Sequence, residues 1–390
     1  MRGKNKVVIL LFISMVIFMI NIFAEYNKKN NVIEALNIDN KKTVNVVAVG
    51  NILVHYDQII SAYNNESYDY EFDENFKYIK KYIEEADLAY CTIEGAFGGK
   101  ELGYSGYPRF NTPEAMLNAL KNTGFDIINA ANDNILDSLN VGYFNTIENL
   151  KKSNLKYTGI RQKKDDKTYV IEKIKGIKIG FTSYTFSDCF EGNDEDVLEL
   201  INSYSYDDLD NDLLKIEKEI EDMKNDGAKF IVVGMHWGDE YSTEINEKQK
   251  YIAQKLNSYA VDVILGSHPN VIEPIETIIN NENGNSTLVV YSMGNFISNQ
   301  RKETMGNKLC EDSIILNLEL QKKFNGDVNL VSFNYIPTWT LKYKTEDGDS
   351  KYYILDSNSV LGYENKEEIP QSILDSLEDS VQSIKSILND

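Results

Sequence analysis

Short apolar runs alternate with amphipathic segments over most of the chain. The apolar runs are rich in Val, Ile and Tyr and have the length of buried strands. They are Val44–Val49, Leu88–Ile93, Phe125–Ala131, Ile177–Tyr184, Phe230–Met235, Val261–Gly266 and Leu288–Met293. Helical spacing predicts helices between them, in Phe72–Glu85, Pro113–Thr123, Asp212–Asp226 and Glu244–Tyr259. Strands that alternate with helices in this way predict an α/β fold.

The pattern changes after Gly294. Ser313–Leu320 and Val328–Tyr335 predict later antiparallel strands with few helices between them. The tail carries an apolar stripe at helical spacing, formed by Ile373, Leu374, Leu377, Val381, Ile384 and Leu388. A helix with such a stripe must pack against another element.

The N-terminus predicts a membrane segment. Val7–Ala24 is continuously apolar and would be about 27 Å long as a helix, close to the thickness of a hydrocarbon core. The cations Arg2, Lys4 and Lys6 before it favour a cytoplasmic N-terminus, with all that follows outside the cell. A cleaved signal peptide is the alternative, although residues 21–24 make a poor cleavage site.

We therefore predict a single-pass membrane protein with an extracellular globular part. Residues 1–24 form an N-terminal anchor or signal segment, 25–42 a polar stalk, 43–345 the main domain and 346–390 a C-terminal extension with an amphipathic helix.

Charge and cysteine content exclude several classes of function. The formal net charge of −21 argues against binding to nucleic acid or to anionic lipid, since either would need a basic surface. Cys91, Cys189 and Cys310 are odd in number and widely spaced, so they predict neither a disulfide framework nor a zinc-thiolate site.

Polar residues collect where the predicted strands end. His236 and His268 each follow a strand directly, and imidazole is a common metal ligand. Oxygen and amide donors fall at the same edge, namely Asn51, Glu94, Asn132, Asp133, Asn134, Asp137 and Glu240. Such donors suit Mn, Fe, Zn or Mg, whereas each acid alone would more simply be a helix cap or a solvated loop residue. Their convergence favours a metal site.

The order of these motifs is similar to that of the CapA family of bacterial poly-γ-glutamate capsule synthesis proteins, which belongs to the calcineurin-like metallophosphatase superfamily. The resemblance extends from about Val44 to Tyr343. The matching motifs are 49–51 (Val-Gly-Asn), 92–94 (Thr-Ile-Glu), 110–113 (Phe-Asn-Thr-Pro), 124–126 (Gly-Phe-Asp), 131–137 (Ala-Asn-Asp-Asn-Ile-Leu-Asp), 236–241 (His-Trp-Gly-Asp-Glu-Tyr), 266–270 (Gly-Ser-His-Pro-Asn) and 291–296 (Tyr-Ser-Met-Gly-Asn-Phe). It implies a metallophosphatase-like four-layer αββα sandwich.

The resemblance also implies roles for individual residues. The implied metal ligands are Asn132, His236, His268, Glu94, Asn51 and Asn270. The predicted catalytic residues are His236, Glu240 and Asp137. Because a chain of charge −21 would repel a polyanion unless its cleft were locally basic, the basic residues near the motifs, Arg109 and Arg301, are predicted to bind substrate together with Asn295.

Three asparagines depart from the family pattern at positions important for chemistry. Asn51 stands where the family has Asp, Asn134 where it has His within Asn-Asn-His, and Asn270 where it has the second His of His-Pro-His. Loss of a bridging carboxylate disfavours a two-metal site, because two nearby cations repel each other. Asn134 also cannot exchange a proton as a general acid.

Two hypotheses follow. In the first, the chain helps to synthesise, export or anchor a capsular polymer of the poly-γ-glutamate type, with an impaired metal site and little or no catalysis. Its expected partners are the membrane, other capsule-synthesis membrane proteins and a polyanionic polymer, with no nucleic acid. In the second, it is a metallohydrolase that uses one divalent ion (Mn, Fe or Zn) on a phosphoester or amide bond.

Overall fold

A computed structural model describes residues 42–190, 194–282 and 284–389. The predicted anchor and residues 25–41 of the predicted stalk lie outside the described residues. Among the residues that are described, no helix combines the length and apolar character needed to cross a bilayer.

The described residues form strands and helices in alternation over much of the chain. The strands are β1 (Thr43–Leu53), β2 (Tyr63–Asn64), β3 (Asp69–Tyr70), β4 (Leu88–Glu94), β5 (Ile127–Asn129), β6 (Lys156–Thr158), β7 (Val170–Ile174), β8 (Ile177–Phe186), β9 (Ser203–Tyr204), β10 (Phe230–His236), β11 (Val263–Ser267), β12 (Ile272–Ile279), β13 (Ser286–Met293), β14 (Asn295–Ile297), β15 (Asp312–Lys322), β16 (Val328–Lys344) and β17 (Ser350–Asp356). The helices are α1 (Tyr56–Ala62), α2 (Asp73–Phe76), α3 (Lys80–Glu84), α4 (Ala115–Thr123), α5 (Leu139–Lys152), α6 (Glu195–Leu198), α7 (Leu209–Asn225), α8 (Glu247–Ser258), α9 (Lys302–Met305), α10 (Ser357–Leu361) and α11 (Gln371–Leu388).

Two mixed sheets contain nearly all of these strands. In the first, the order is β17-β16-β15-β1-β4-β5-β6, with β14 beside the end of β1. In the second, the order is β12-β13-β11-β10-β8-β7, with β9 beside β8. The central strands of each sheet run parallel, as β1, β4, β5 and β6 do in one and β8, β10, β11 and β13 in the other. Parallel strands place their carboxyl ends along one edge.

The sheets pack face to face, with helices on both outer surfaces. Alternate residues of β1 and β4 point into the core between the sheets, where they meet residues of β8, β10 and β11. The opposite faces of β1 and β4 pack against α1, α4 and α5. The outer face of β10 packs against α7 and α8. The result is an α/β sandwich with an αββα layer order, and the predicted α/β class is confirmed.

The C-terminal segment is packed into the same body. β17 pairs with β16 at the edge of the first sheet. Ile384 of α11 is fully buried in the core between the sheets, so the predicted apolar stripe of the tail has a partner there.

One predicted helix differs from the observed structure. The segment 72–85 forms two short helices, α2 and α3, joined by a turn at Ile79. Both backbone bonds at this turn span three residues rather than four, from Ile79 to Phe76 and from Tyr82 to Ile79. Phe72, Phe76, Ile79 and Ile83 are all buried, so the two short helices present to the core the same apolar face that a single helix would.

Candidate metal centre

The carboxyl ends of the two sheets meet at a close contact between two glycines. The backbone N–H of Asn51 donates to the carbonyl oxygen of Gly294 at 2.9 Å. A Cβ on Gly50 would lie 2.1 Å from that same oxygen, and Gly294 has a φ of +71°. Both positions therefore require glycine. The contact brings the end of β1 next to the segment that leaves the second sheet, and the candidate site forms around it.

Asp133 lies between the two histidines. Its Oδ1 is 2.9 Å from Nε2 of His236, and its Oδ2 is 3.4 Å from Nδ1 of His268. One potential ligand atom from each of the three residues lies within 4.8 Å of the others. Two imidazoles and one carboxylate can bind a single divalent transition metal and leave positions open.

The surrounding residues fix the orientation of both rings. His236 is fully buried, its Nδ1 is 3.0 Å from Oγ of Ser267, and its ring stacks on Phe186. His268 meets the same phenyl ring edge-on at 4.9 Å and has a φ of +98°. A left-handed conformation is uncommon for histidine and turns its side chain back toward Asp133.

A group of oxygen and amide donors lies on the first-sheet side. Nδ2 of Asn51 donates to Oε2 of Glu94 at 2.7 Å, and Nδ2 of Asn134 donates to Oε1 at 3.4 Å. Asn295 is buried behind them: its Oδ1 lies 3.4 Å from Nδ2 of Asn51, and its own amide donates to Gln300. The side chain of Asn295, which was predicted to contact substrate, instead makes its hydrogen bonds within the protein.

Glu240 and Asn270 form the outer side of the site. Nδ2 of Asn270 donates to Oε1 of Glu240 at 3.2 Å. Asn270 is buried, whereas Glu240 is exposed. Among the acids of the site, Glu240 is thus the one most open to an incoming substrate.

Asn132 is held by the main chain. Its Oδ1 accepts the backbone N–H groups of Gly95 at 2.9 Å and Asn134 at 3.0 Å. Its Nδ2 donates to the carbonyl oxygen of Ala130 at 3.1 Å. These bonds fix the loop after β5 and thereby place Asp133.

The two predicted substrate-binding arginines lie in different surroundings. Arg109 is exposed and close enough to Asp137 to favour the charged carboxylate there. Arg301 is only 8% exposed, its Nη2 is 2.5 Å from Oε2 of Glu311, and its guanidinium lies over the ring of Trp339. A buried, ion-paired guanidinium is not available to a polymer, which corrects the predicted contact for Arg301.

Negative charge accumulates at the site. Burial raises the pKa of Glu94 well above its ordinary range, and the carboxylates of Asp133, Glu240 and Asp137 raise it further. Burial raises the pKa of Asp137 to about 6. Burial also raises the pKa of Glu240. A cation among these groups would relieve their mutual repulsion.

The pKa values of Asp133 and His236 are lowered, in contrast to those of the other acids of the site. Burial would raise the pKa of Asp133, but the imidazoles of His236 and His268 outweigh that effect and hold the pKa below its usual range. Burial lowers the pKa of His236 despite the adjacent Asp133. Burial therefore favours the neutral imidazole of His236, which is the form that binds metals.

Buried polar atoms that have no hydrogen-bond partner also face this site. They are Oδ1 of Asn51, Oδ1 of Asn270 and Nδ1 of His268, the last lying near Asp133 without hydrogen-bond geometry. Buried polar atoms of this kind normally have a partner. Together with the excess of carboxylates, they fit a bound divalent cation, with Asp133, His236 and His268 as its ligands.

Residues 45–300 match the family model described as bacterial capsule synthesis protein PGA_cap. The chain belongs to the PGA_cap family. It is 25% identical over 308 residues to the capsule biosynthesis protein CapA of Bacillus anthracis, covering 76% of this chain and 68% of that protein. It is 28% identical over 217 residues to the PGA biosynthesis protein CapA of Bacillus subtilis (strain 168), covering 55% and 52%. The predicted resemblance to the CapA family is confirmed.

Solved structures align with the chain at low identity. A hypothetical protein from Thermus thermophilus has 11% identity and a TM-score of 0.44, covering 75% of this chain and 98% of that one. A putative 5′-nucleotidase from Staphylococcus aureus, solved in complex with alpha-ketoglutarate, has 12% identity and a TM-score of 0.46, covering 79% and 57%.

This PGA_cap member gathers most of the residues predicted for its site. Asn51, Glu94, His236, His268, Asn270 and Glu240 all lie at the meeting point of the sheets. Asp133 was placed at this edge by the sequence but was not assigned as a ligand. The signal for it was its charge, because it is the acid between Asn132 and Asn134.

A buried glutamate supports the loop that carries His236 and Glu240. Glu273 on β12 is fully buried, and Nε2 of Gln249 donates to its Oε2 at 2.7 Å. A Cβ on Gly238 would lie 2.8 Å from that same Nε2, so the loop packs directly on Gln249. Burial raises the pKa of Glu273 to about 8.

We expect Glu273→Gln to remove a pH dependence of stability. The unfolded chain releases the Glu273 proton in the ordinary carboxyl range, whereas the folded protein holds that proton up to about pH 8. The free energy of unfolding of the wild type should therefore fall as pH rises, by up to about 1.4 kcal/mol per pH unit. Urea unfolding across this pH range should show the free energy of unfolding of the variant rising relative to that of the wild type as the pH increases. Glu247→Gln, whose side chain is 89% exposed, serves as the control. Equal slopes for Glu273→Gln and wild type would contradict the expectation.

We expect the purified full chain to bind about one equivalent of Mn, Fe or Zn. Asp133→Asn, or the double change His236→Ala, His268→Ala, should lose this bound metal because each removes proposed ligands. Elemental analysis before and after incubation with each metal measures this. His55→Asn is the matched control, because His55 precedes α1 outside the cluster and asparagine is a good N-cap residue. No bound metal in the wild type after incubation, or equal loss in the control, would refute the assignment.

Proposed function

We propose that this chain acts in the synthesis, export or anchoring of a capsular polymer of the poly-γ-glutamate type, through a site that holds one divalent cation. Membership of the PGA_cap family and the names of its CapA relatives support the polymer class. The observation that carries the proposal is the grouping of Asp133, His236 and His268 where the strands of both sheets end. The metallophosphatase-type assignment of the sandwich is part of the same proposal.

A divalent cation bound at this site would polarise a phosphoryl or carbonyl oxygen of a substrate. The chain's own residues supply the rest. Oγ of Ser267 would accept the Nδ1–H of His236 and leave Nε2 free as a ligand atom. Asp137, with a pKa of about 6, can hold or release a proton near neutral pH. Exposed Glu240 stands where substrate would enter.

The charges at the site favour one cation over two. Asn51 and Asn270 offer neutral oxygens, and a carboxamide offsets the repulsion between two divalent ions far less than a bridging carboxylate does. Asp133 supplies a carboxylate beside both histidines, where one cation can bind. A single-cation site is impaired by comparison with a dinuclear one, so catalysis is expected to be weak.

The proposed location is the cell membrane. The apolar segment 7–24 would tether the chain, and the described domain would lie outside the cell, where a capsular polymer is assembled. Other membrane proteins of capsule synthesis are the proposed partners. The whole chain has a formal net charge of −21 and therefore repels a polyanion, so polymer contact would be confined to local cations such as exposed Arg109.

We expect deletion of this chain from its source strain to abolish or sharply reduce the capsular polymer. The wild-type gene and His55→Asn should restore it, whereas Asp133→Asn should not, because that change removes the charged ligand of the proposed centre. Polymer is measured by acid hydrolysis and glutamate analysis of washed cells, with immunoblots to establish equal chain levels. Unchanged polymer in the deletion strain would overturn the proposed role, and full rescue by Asp133→Asn would overturn the role of the centre.

A metallohydrolase is the second candidate, and the proton-exchanging Asp137 beside the cluster favours it. We expect the natural chain to show little phosphodiesterase or amidase activity, and Asn51→Asp, Asn134→His, Asn270→His to gain both a second metal equivalent and activity. Hydrolysis of a nitrophenyl phosphodiester and of γ-glutamyl nitroanilide, with metal content measured on the same samples, tests this. Strong hydrolysis by the natural chain that is lost in Asp137→Asn would establish the hydrolase instead.

A further inference from the structure

A second cleft lies on the α1 side of the first sheet, apart from the metal centre. Its volume is about 1090 Å³, as large as a site for a small organic ligand or a short oligomer. It lies between α1, the β2–β3 hairpin, the start of the 100–104 segment and the turn before β17. We refer to it as the tyrosine cleft, because Tyr56, Tyr63, Tyr68, Tyr70 and Tyr104 line it.

Two of these tyrosines, Tyr56 and Tyr68, present aromatic surface to solvent, whereas Tyr70 and Tyr104 also pack against the core. Tyr56 is 59% exposed and Tyr68 is 80% exposed, and the neighbouring Ile60 is 58% exposed. Tyr70 stands at the centre of an edge-to-face row, 5.3 Å from the ring of Tyr63 and 5.1 Å from that of Tyr104. Such a row holds its rings rigidly and loses little entropy when a ligand binds.

The hairpin that carries Tyr68 is firmly built. Oδ1 of Asn64 accepts the backbone N–H groups of Glu66 at 2.8 Å and Ser67 at 3.3 Å, while its Nδ2 donates to Glu71. Tyr68 itself has a φ of +56°, a conformation that is uncommon for a bulky residue. The turn therefore directs a large exposed ring into the cleft at a cost in backbone strain.

The charges of the cleft exclude a polyanion as its occupant. Its lining carries Asp57, Asp69 and Asp349 against Lys100 and Lys351. Asp57 is paired with Lys342 at 3.0 Å, which leaves two carboxylates and two ammonium groups. A balanced cleft on a chain of charge −21 does not attract a polymer of glutamate.

The remaining polar groups suit hydroxyl-rich ligands. Ser61, Asn65, Asp69 and Asp349 can exchange hydrogen bonds with hydroxyl groups between the aromatic faces. β2 and β3 are two residues each, too short to pair with an extended peptide along the cleft. Aromatic faces beside short polar side chains, without net charge, match the apolar faces and hydroxyl rims of a sugar ring.

We infer that the tyrosine cleft binds a neutral oligosaccharide. The sugar rings lie against Tyr56 and Tyr68, and the short polar side chains receive the hydroxyl groups. This binding is independent of the proposed metal centre, so the chain would contact a neutral glycan at one place and carry out its capsule function at another.

Saturation-transfer NMR and calorimetry with the full chain test the inference, in a zwitterionic detergent that has no sugar headgroup. The probes are tetramers of N-acetylglucosamine, glucose and mannose, with a short poly-γ-glutamate as the charged comparison. We expect at least one neutral tetramer to bind. Tyr56→Ala and Tyr68→Ala should each weaken it by about tenfold, while Tyr56→Phe and Tyr68→Phe retain most binding because the ring remains.

Tyr363→Ala is the matched control, since Tyr363 is 49% exposed outside the cleft. It should leave tetramer binding unchanged, and all variants should keep the wild-type melting temperature and metal content. Absence of binding by every neutral tetramer would overturn the inference. So would an equal loss in Tyr363→Ala, or tyrosine-dependent binding of poly-γ-glutamate in place of the tetramers.

Discussion

The contact between Gly50 and Gly294 determines where the chemistry of this protein can be. Two separate sheets would end in two separate rows of side chains, each too sparse to form a site. The hydrogen bond from Asn51 to Gly294 and the pairing of β14 with β1 bring the end of the first sheet beside the end of β13. The histidines of the second sheet then face the acids of the first across a narrow gap. Only glycine allows this approach, because a Cβ at either position would meet a carbonyl oxygen.

The gap has an electrostatic consequence. Four carboxyl groups converge there with histidine and asparagine side chains around them, and burial makes each charge costly. The protein has two ways to relieve this, protonation of some acids or binding of a cation. The raised pKa values of Glu94 and Asp137 favour protonation of those two acids. The position of Asp133 between two imidazoles provides a place for a cation. The carboxylate nearest the two imidazoles is that of Asp133, so a cation bound between the histidines would meet a negative charge directly.

The sequence predicted the central strands and the location of the site because both follow from simple periodicities. A buried parallel strand must be apolar along its whole length, and polar residues must begin where it ends, as His236 does after β10. Other elements did not follow from such patterns. α5 carries Tyr143, Ile147 and Leu150 at helical spacing, but Gly142 and the exposed apolar residues Leu139 and Val141 in its first turns obscure this stripe in the sequence. β17 alternates too briefly to stand out from the loop before it.

The residues misjudged from sequence were those whose role depends on distant partners. Arg301 looks like a polymer contact until Glu311 and Trp339 are placed beside it. Asn132 looks like a ligand, yet its carboxamide is occupied by the main chain of two loops. Asp133 has no local signal beyond its charge, because its significance arises from histidines more than a hundred residues later. Local sequence patterns determine the helices and strands, whereas the role of a site residue depends on contacts with residues far away in the sequence.

The position of α11 determines when the core between the two sheets can form. Ile384 seals the core between the sheets, and that core also contains Val44 from the first strand. A chain synthesised from its N-terminus cannot close this core until nearly every residue has emerged from the ribosome. Until then the apolar faces of both sheets lack one of their packing partners, so the domain completes its fold as a whole after its last helix is synthesised and not strand by strand.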